Sequence, residues 1–151
     1  MDYKPGDEGV LLACGFNIGG WVLYVEDGKL CFHYNYVAEA ETDVTSSVAL
    51  PEGKHEFGYA FDFEAPGKGI GYVTVDGAPA GEKVVFDDTG FMVKSCIGAG
   101  RYASSAVKRS HKSKPDYFAF TGDYSRVDLF IGSPETIQDQ LDAIQLHRDA
   151  E

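Results

Sequence analysis

The sequence predicts a mainly β protein: an antiparallel two-sheet sandwich with one C-terminal α-helix. Three observations carry that expectation. Two Asp-Gly dipeptides, Asp27-Gly28 and Asp76-Gly77, each stand between runs rich in β-branched and aromatic residues, the strongest short-range signal for a tight hairpin. Phe57, Tyr59, Phe61 and Phe63 alternate with Gly58, Ala60 and Asp62, the period-two pattern of a half-buried strand. After Ser133-Pro134-Glu135 the spacing turns helical, with Ile137, Leu141 and Ile144 at i, i+4 and i+7. A chain of 151 residues suits one domain with a sizeable core. Residues 1–132 form the expected sandwich, and 133–151 form a helix packed on it or on a partner.

The hairpin Gly19–Tyr36 organises the chain. A two-residue turn at Asp27-Gly28 sets Glu26 against Lys29, Val25 against Leu30, Leu23 against Phe32 and Trp21 against Tyr34. Trp21, Leu23, Val25, Leu30, Phe32 and Tyr34 then make one apolar face, and Val22, Tyr24, Cys31 and His33 a mixed one. A slip of one residue would turn Trp21 and Phe32 to the wrong side, so the register is well specified.

These residues also carry a resemblance. Gly19, Gly20, Trp21, Tyr24, Asp27, Gly28, Tyr34, Asn35 and Tyr36 resemble the pattern of the C-terminal, non-catalytic domain of large bacterial arylsulfatases, a concanavalin-like β-sandwich of the jelly-roll type. The likeness runs from about Gly9 to about Ile131. It includes the turn Leu50-Pro51-Glu52-Gly53-Lys54-His55, the Gly-Lys-Gly run near Lys68, Asp116-Tyr117, and a Phe-x-Phe-x-Gly closing strand at Phe118–Gly122. Cys96 stands where the family has an acid. The resemblance implies a non-catalytic accessory module that binds a glycan, sulfated or otherwise anionic, or a protein.

Composition excludes several classes. Hydrophobic residues make up 44% and aromatics 13% of the chain, enough for a packed core. A net charge of −11 argues against a general nucleic-acid binder. No run is long enough to span a membrane, and Met1–Glu8 carries no apolar signal segment, so a cytoplasmic protein is the expectation. The three cysteines, Cys14, Cys31 and Cys96, form no C-x-x-C and read as free thiols, with one disulfide possible.

In chain order, Met1–Glu8 reads as a polar lead-in turn and Gly9–Cys14 as a short buried strand. Along Val37–Val48, Glu39, Glu41 and Asp43 would share one strand face. That pattern allows a cation site or a glycosidase carboxylate cluster. It lacks the Trp-flanked acidic motif of catalytic sandwich glucanases and reads as a solvated outer face. His55 reads as a turn-capping histidine ahead of the strand His55–Phe63. Glu64–Gly71 reads as a glycine-rich loop; no Gly-Lys-Ser/Thr follows to make it a phosphate loop. Further strands are expected at Tyr72–Val75, Ala78–Phe86, Phe91–Ile97 and Phe118–Ile131, with Pro79 beside an edge or bulge. Trp21, Leu23, Phe32, Phe57, Tyr59, Phe61, Val73, Val127 and Leu129 are the expected core.

Ala99–Tyr117 is the least regular stretch. Arg101, Lys108, Arg109, Lys112 and Lys114 lie in it against one acid, Asp116. It reads as a solvated loop or as an anion contact. The candidate ligand-binding residues are therefore Tyr24 and His33 on the mixed face, with Arg101, Lys108 and Arg109 above them.

Catalysis finds no motif. None of the cysteines lies in the C/S-x-P-x-R sequence a sulfatase needs, no G-x-S-x-G elbow occurs, and the four histidines show no metal spacing. No cofactor and no metal are expected. Two alternatives stand beside the binding module: a hydrolase built on Glu39, Glu41 and Asp43 (with Asp62), or an assembly protein with no small ligand. The arylsulfatase-type domain normally begins with one more strand. Its absence would leave a neighbour such as Phe118–Ile131 with an open edge, to be covered by the C-terminal helix, by Met1–Glu8 or by a second copy; with the helical stripe, the expectation is a homodimer.

Overall fold

The computed structural model describes residues 1–87, 89 and 96–149, apart from the side chains of Pro134, Ile144, His147, Arg148 and Asp149. In chain order its strands are β1 (Asp2–Tyr3), β2 (Gly9–Phe16), β3 (Gly19–Glu26), β4 (Lys29–Tyr36), β5 (Ala40–Thr45), β6 (Gly53–Lys54), β7 (Phe57–Ala65), β8 (Lys68–Val75), β9 (Ala78–Pro79), β10 (Val84–Phe86) and β11 (Ile97–Ala99); a helix, α1 (Pro134–Asp149), follows. The fold is a mainly β sandwich with a C-terminal helix. One sheet has the order β11-β2-β3-β4-β5, the other β10-β8-β7 with β9 beside β8, and β1 pairs with β6.

The hairpin β3–β4 has the register that its turn dictates. Glu26 faces Lys29, Leu23 faces Phe32 and Trp21 faces Tyr34. Asp27 (φ 52°) and Gly28 (φ 73°) both take the left-handed conformation that a two-residue hairpin turn requires. The apolar face of β3 and β4 packs on the second sheet. Leu23, Val25, Leu30, Phe32 and Tyr34 meet Val73 and Phe86 there, with Tyr59 packed against them. Phe32 is the centre: its ring stacks on Tyr59 at 3.5 Å between centroids and on Trp21 at 6.1 Å.

The glycine-rich run Glu64–Gly71 is not a loop. Strands β7 and β8 run to within a two-residue turn, Pro66-Gly67, of each other. The glycines have a packing reason. A Cβ on Gly69 would collide with the Phe61 ring, and one on Gly71 with Tyr59 and Phe86. Large rings on one strand are accommodated by bare backbone on the next.

Several expectations are corrected. Phe118–Ile131 does not form a strand. Asp116, Tyr117 and Phe118 are consecutively left-handed (φ 49°, 50° and 62°), which turns the chain, and only Ala119 bridges back, in parallel, to Val10. Val127 and Leu129 are exposed rather than core, as is Phe61 in part. Trp21 is half-buried. The lead-in Met1–Glu8 carries β1, whose Tyr3 is buried against Phe57. Of the expected strand Phe91–Ile97, 91–95 lie outside the described residues; Ile97 opens β11. Glu39 sits in the turn between β4 and β5, off the acidic strand face.

Helix α1 begins as its sequence dictates, with Ser133 Oγ accepting the Thr136 amide at 3.3 Å. Its Leu141 and Leu146 are exposed. No helix among the described residues is long and apolar enough to cross a membrane. Cys14, Cys31 and Cys96 are free thiols.

Candidate functional site

The mixed face of the five-stranded sheet is a second core. The irregular stretch after β11 folds across it, so that Val10, Ala13, Val22, Tyr24 and Cys31 from the sheet pack against Tyr102, Ala106, Val107 and Phe118. A 3-10 turn at Arg109–Ser113 is its regular part, and a left-handed turn follows at Asp116–Phe118. This cover is tied down by long-range hydrogen bonds. Asn35 Nδ2 donates to the Val107 carbonyl at 3.1 Å, the Asn17 amide to Ser105 Oγ at 3.0 Å, and the Gly100 amide to the Leu11 carbonyl at 2.9 Å.

Pairing of β4 with β5 sets His33 opposite Asp43 and Asn35 opposite Glu41, so both acids share the covered face. There Lys108 enters from above. Its ammonium donates to the Tyr24 hydroxyl at 2.6 Å and to Asp43 Oδ1 at 3.1 Å, and His33 Nδ1 donates to the same oxygen at 2.9 Å. The His33 hydrogen bond, helped by Lys108, holds the Asp43 carboxyl down to about 2. Burial pushes the Tyr24 phenol well above its ordinary value. His33 Nε2 lies 3.9 Å from Glu41 Oε1 and has no hydrogen-bond partner among the described residues. Lys114 pairs with Glu26.

Deeper in the same layer His111 is fully enclosed. Its ring centroid lies 4.6 Å from those of Tyr24 and Phe118, and its Nδ1 shares a hydrogen bond of 2.7 Å with the Tyr102 hydroxyl. Where the cover stops, a shallow depression of about 340 Å³ opens between Tyr24, Glu26, Lys29, Asp43, Thr45 and Lys108.

Tyr24, His33 and Lys108 are thus brought together, with both rings under the cover. Tyr24 and His33 are 2% and 1% exposed, so neither ring face can stack on a sugar. Arg101 and Arg109 are exposed on the outer surface of the cover, away from that cluster, with Lys112. None of the three is paired with a carboxylate among the described residues. Of the carboxylates in the hydrolase alternative, Glu39 is in a turn, off the strand face, and Asp43, held at about 2, is ionised at neutral pH and has no proton to donate there. No group of three or more metal-ligating side chains occurs among the described residues.

Sequence reasoning missed the partners that make this layer: Tyr102, His111, Asn35 and the Glu26–Lys114 pair. Asn35 and Glu26 follow from strand alternation once the hairpin register is set. Tyr102 and His111 had only the apolar pair Ala106-Val107 as a signal. No family model, no curated protein and no solved structure matches the chain.

Proposed function

We propose that the chain is a non-catalytic, concanavalin-like accessory module of the arylsulfatase C-terminal type, and that it binds an anionic glycan through the outer surface of the cover. One observation carries this reading. The five cations of the cover divide by role: Lys108 and Lys114 turn inward onto Asp43 and Glu26, whereas Arg101, Arg109 and Lys112 are exposed and have no carboxylate partner among the described residues. Arg109 and Lys112 are three apart on a 3-10 turn, which puts them on one side. On a chain of net charge −11, a patch of unpaired cations marks a place where an anion is preferred, and guanidinium matches sulfate or carboxylate in a planar, two-pronged contact. An array of sulfated and neutral glycans tests it. Sulfated sugars should be retained in a salt-sensitive manner, and Arg109→Glu with Lys112→Glu should abolish retention. Equal failure of sulfated and neutral sugars to bind the parent protein overturns the reading.

We also propose that two copies associate through the C-terminal segment. Val127, Leu129, Ile131, Leu141 and Leu146 are all exposed, a concentration of apolar surface that a second copy would cover through one self-complementary interface. Light scattering after size exclusion at micromolar protein should give a dimer mass, reduced to monomer by Leu141→Glu with Leu146→Glu. A monomer mass for the parent at high concentration overturns it.

A further inference from the structure

His111 belongs to the cover itself and is wholly enclosed, at 0% exposure. Rings surround it: Tyr24 and Phe118 at 4.6 Å and Tyr102 at 6.0 Å. Nδ1 is engaged by the Tyr102 hydroxyl, and Nε2 has no partner among the described residues. The charges that face it are unfavourable to a second proton. On its own segment Lys108 and Lys114 flank it; from β4 comes His33; from β5 comes Asp43, whose carboxylate is committed to His33 and Lys108. Glu26 on β3 is committed to Lys114. An imidazolium here would be enclosed beside two ammonium groups, and Asp43, the carboxylate that opposes them, is already shared by His33 and Lys108.

We propose that residues 100–118 are an acid-released cover, and that protonating His111 detaches this segment from the five-stranded sheet while both sheets stay folded. The direction follows from linkage. In the closed state burial, then Lys108 and Lys114, hold the His111 imidazole down to about 3, against 6.5 for the free side chain. The open state therefore binds the extra proton first, and acid favours it. The open-to-closed ratio rises about tenfold for each pH unit between about 6.5 and about 3. Apart from the Lys114–Glu26 pair, which contains a carboxylate, the polar anchors of the cover do not compete in most of that window. Asp43 stays ionised down to about 2, and the Asn35–Val107, Asn17–Ser105 and Gly100–Leu11 bonds contain no titrating group. Opening bares Tyr24, Cys31 and His33, the buried mixed face. This inference does not depend on the anionic ligand.

Cys31 reports on it, since its side chain packs against the cover at 7% exposure, at the wall of the depression where the cover stops. With Cys14→Ala and Cys96→Ala removing the other thiols, the rate of Cys31 modification by 4,4′-dithiodipyridine is measured from neutral pH to about pH 4 and divided by that of free cysteine at each pH. Trp21 fluorescence and far-ultraviolet circular dichroism follow the fold in parallel. The expected result is accessibility that climbs by up to tenfold per pH unit with the fold signals flat, and a His111→Gln protein with no such climb. Three outcomes overturn the proposal: protection unchanged in acid, the same climb in His111→Gln, or Cys31 exposure that tracks loss of the Trp21 signal. Should His111→Gln not fold, hydrogen exchange on the unaltered chain decides. Protection lost over 100–118 and kept in β3 and β4 supports the release; equal loss in both overturns it.

Discussion

Tyr117 sits in the middle of three left-handed residues with its side chain 53% exposed. An L-residue there brings its Cβ against the backbone, at a cost of about 1–2 kcal/mol, and Tyr117 recovers little of that by burial. Tyr117→Gly should therefore stabilise the protein by roughly 0.5–1 kcal/mol, the lower figure allowing for the added freedom of the unfolded chain. A higher urea midpoint at unchanged m-value is the expected reading; a lower one would show that the tyrosine ring holds the turn. The same three residues explain why the sequence misled at this point. Phe118 and Phe120 have strand spacing, but the backbone turn at 116–118 sends Phe118 under the cover and Phe120 back against Tyr124. No local propensity announces a left-handed run at Asp-Tyr-Phe.

Hairpins are the elements the sequence specified best, because their turns are chosen by two adjacent residues and their faces by strict alternation. The turn Asp76-Gly77 shows the same economy and adds a clasp. His55 Nδ1 and Asp76 Oδ2 are 2.7 Å apart, and Asp76 Oδ1 accepts the Glu56 amide at 2.8 Å. The expectation of a turn-capping histidine is met. The hydrogen bond to Asp76 raises the His55 imidazole above 6.5, and the Glu56 amide, then His55, lower Asp76 below 3.8. For the raised base, stability is fully present below 6.5 and lost as pH rises through its folded value. For the lowered acid, it is present above 3.8 and lost as pH falls. The clasp is thus strongest between these values. The difference in thermal midpoint between the parent and His55→Gln should be larger near pH 5 than at pH 8 or in strong acid; a constant difference would remove the charge from the explanation. The cover was the least legible element. It has no period, its anchors join residues far apart in sequence, and its cations read as one loop whereas the structure divides them between inside and outside.

The whole molecule stacks three layers on one hairpin: the second sheet, the five-stranded sheet and the cover. The sandwich was legible because its turns and faces repeat a local rule. The third layer was not, because Val107 reaches Asn35 across 72 residues and Lys108 reaches Tyr24 across 84. That separation has a kinetic consequence. Closing so long a chain segment costs entropy before any contact repays it, whereas β3 and β4 meet across a two-residue turn. The transition state for folding should therefore contain the hairpin and lack the cover. Val107, fully buried, isolates the effect. Val107→Ala should cost roughly 1–3 kcal/mol, appearing almost wholly as faster unfolding with the refolding rate unchanged, a φ-value near zero. Leu23→Ala in the hairpin should slow refolding instead. The layer that docks last on the way in is then the one whose loss sets how quickly the protein comes apart.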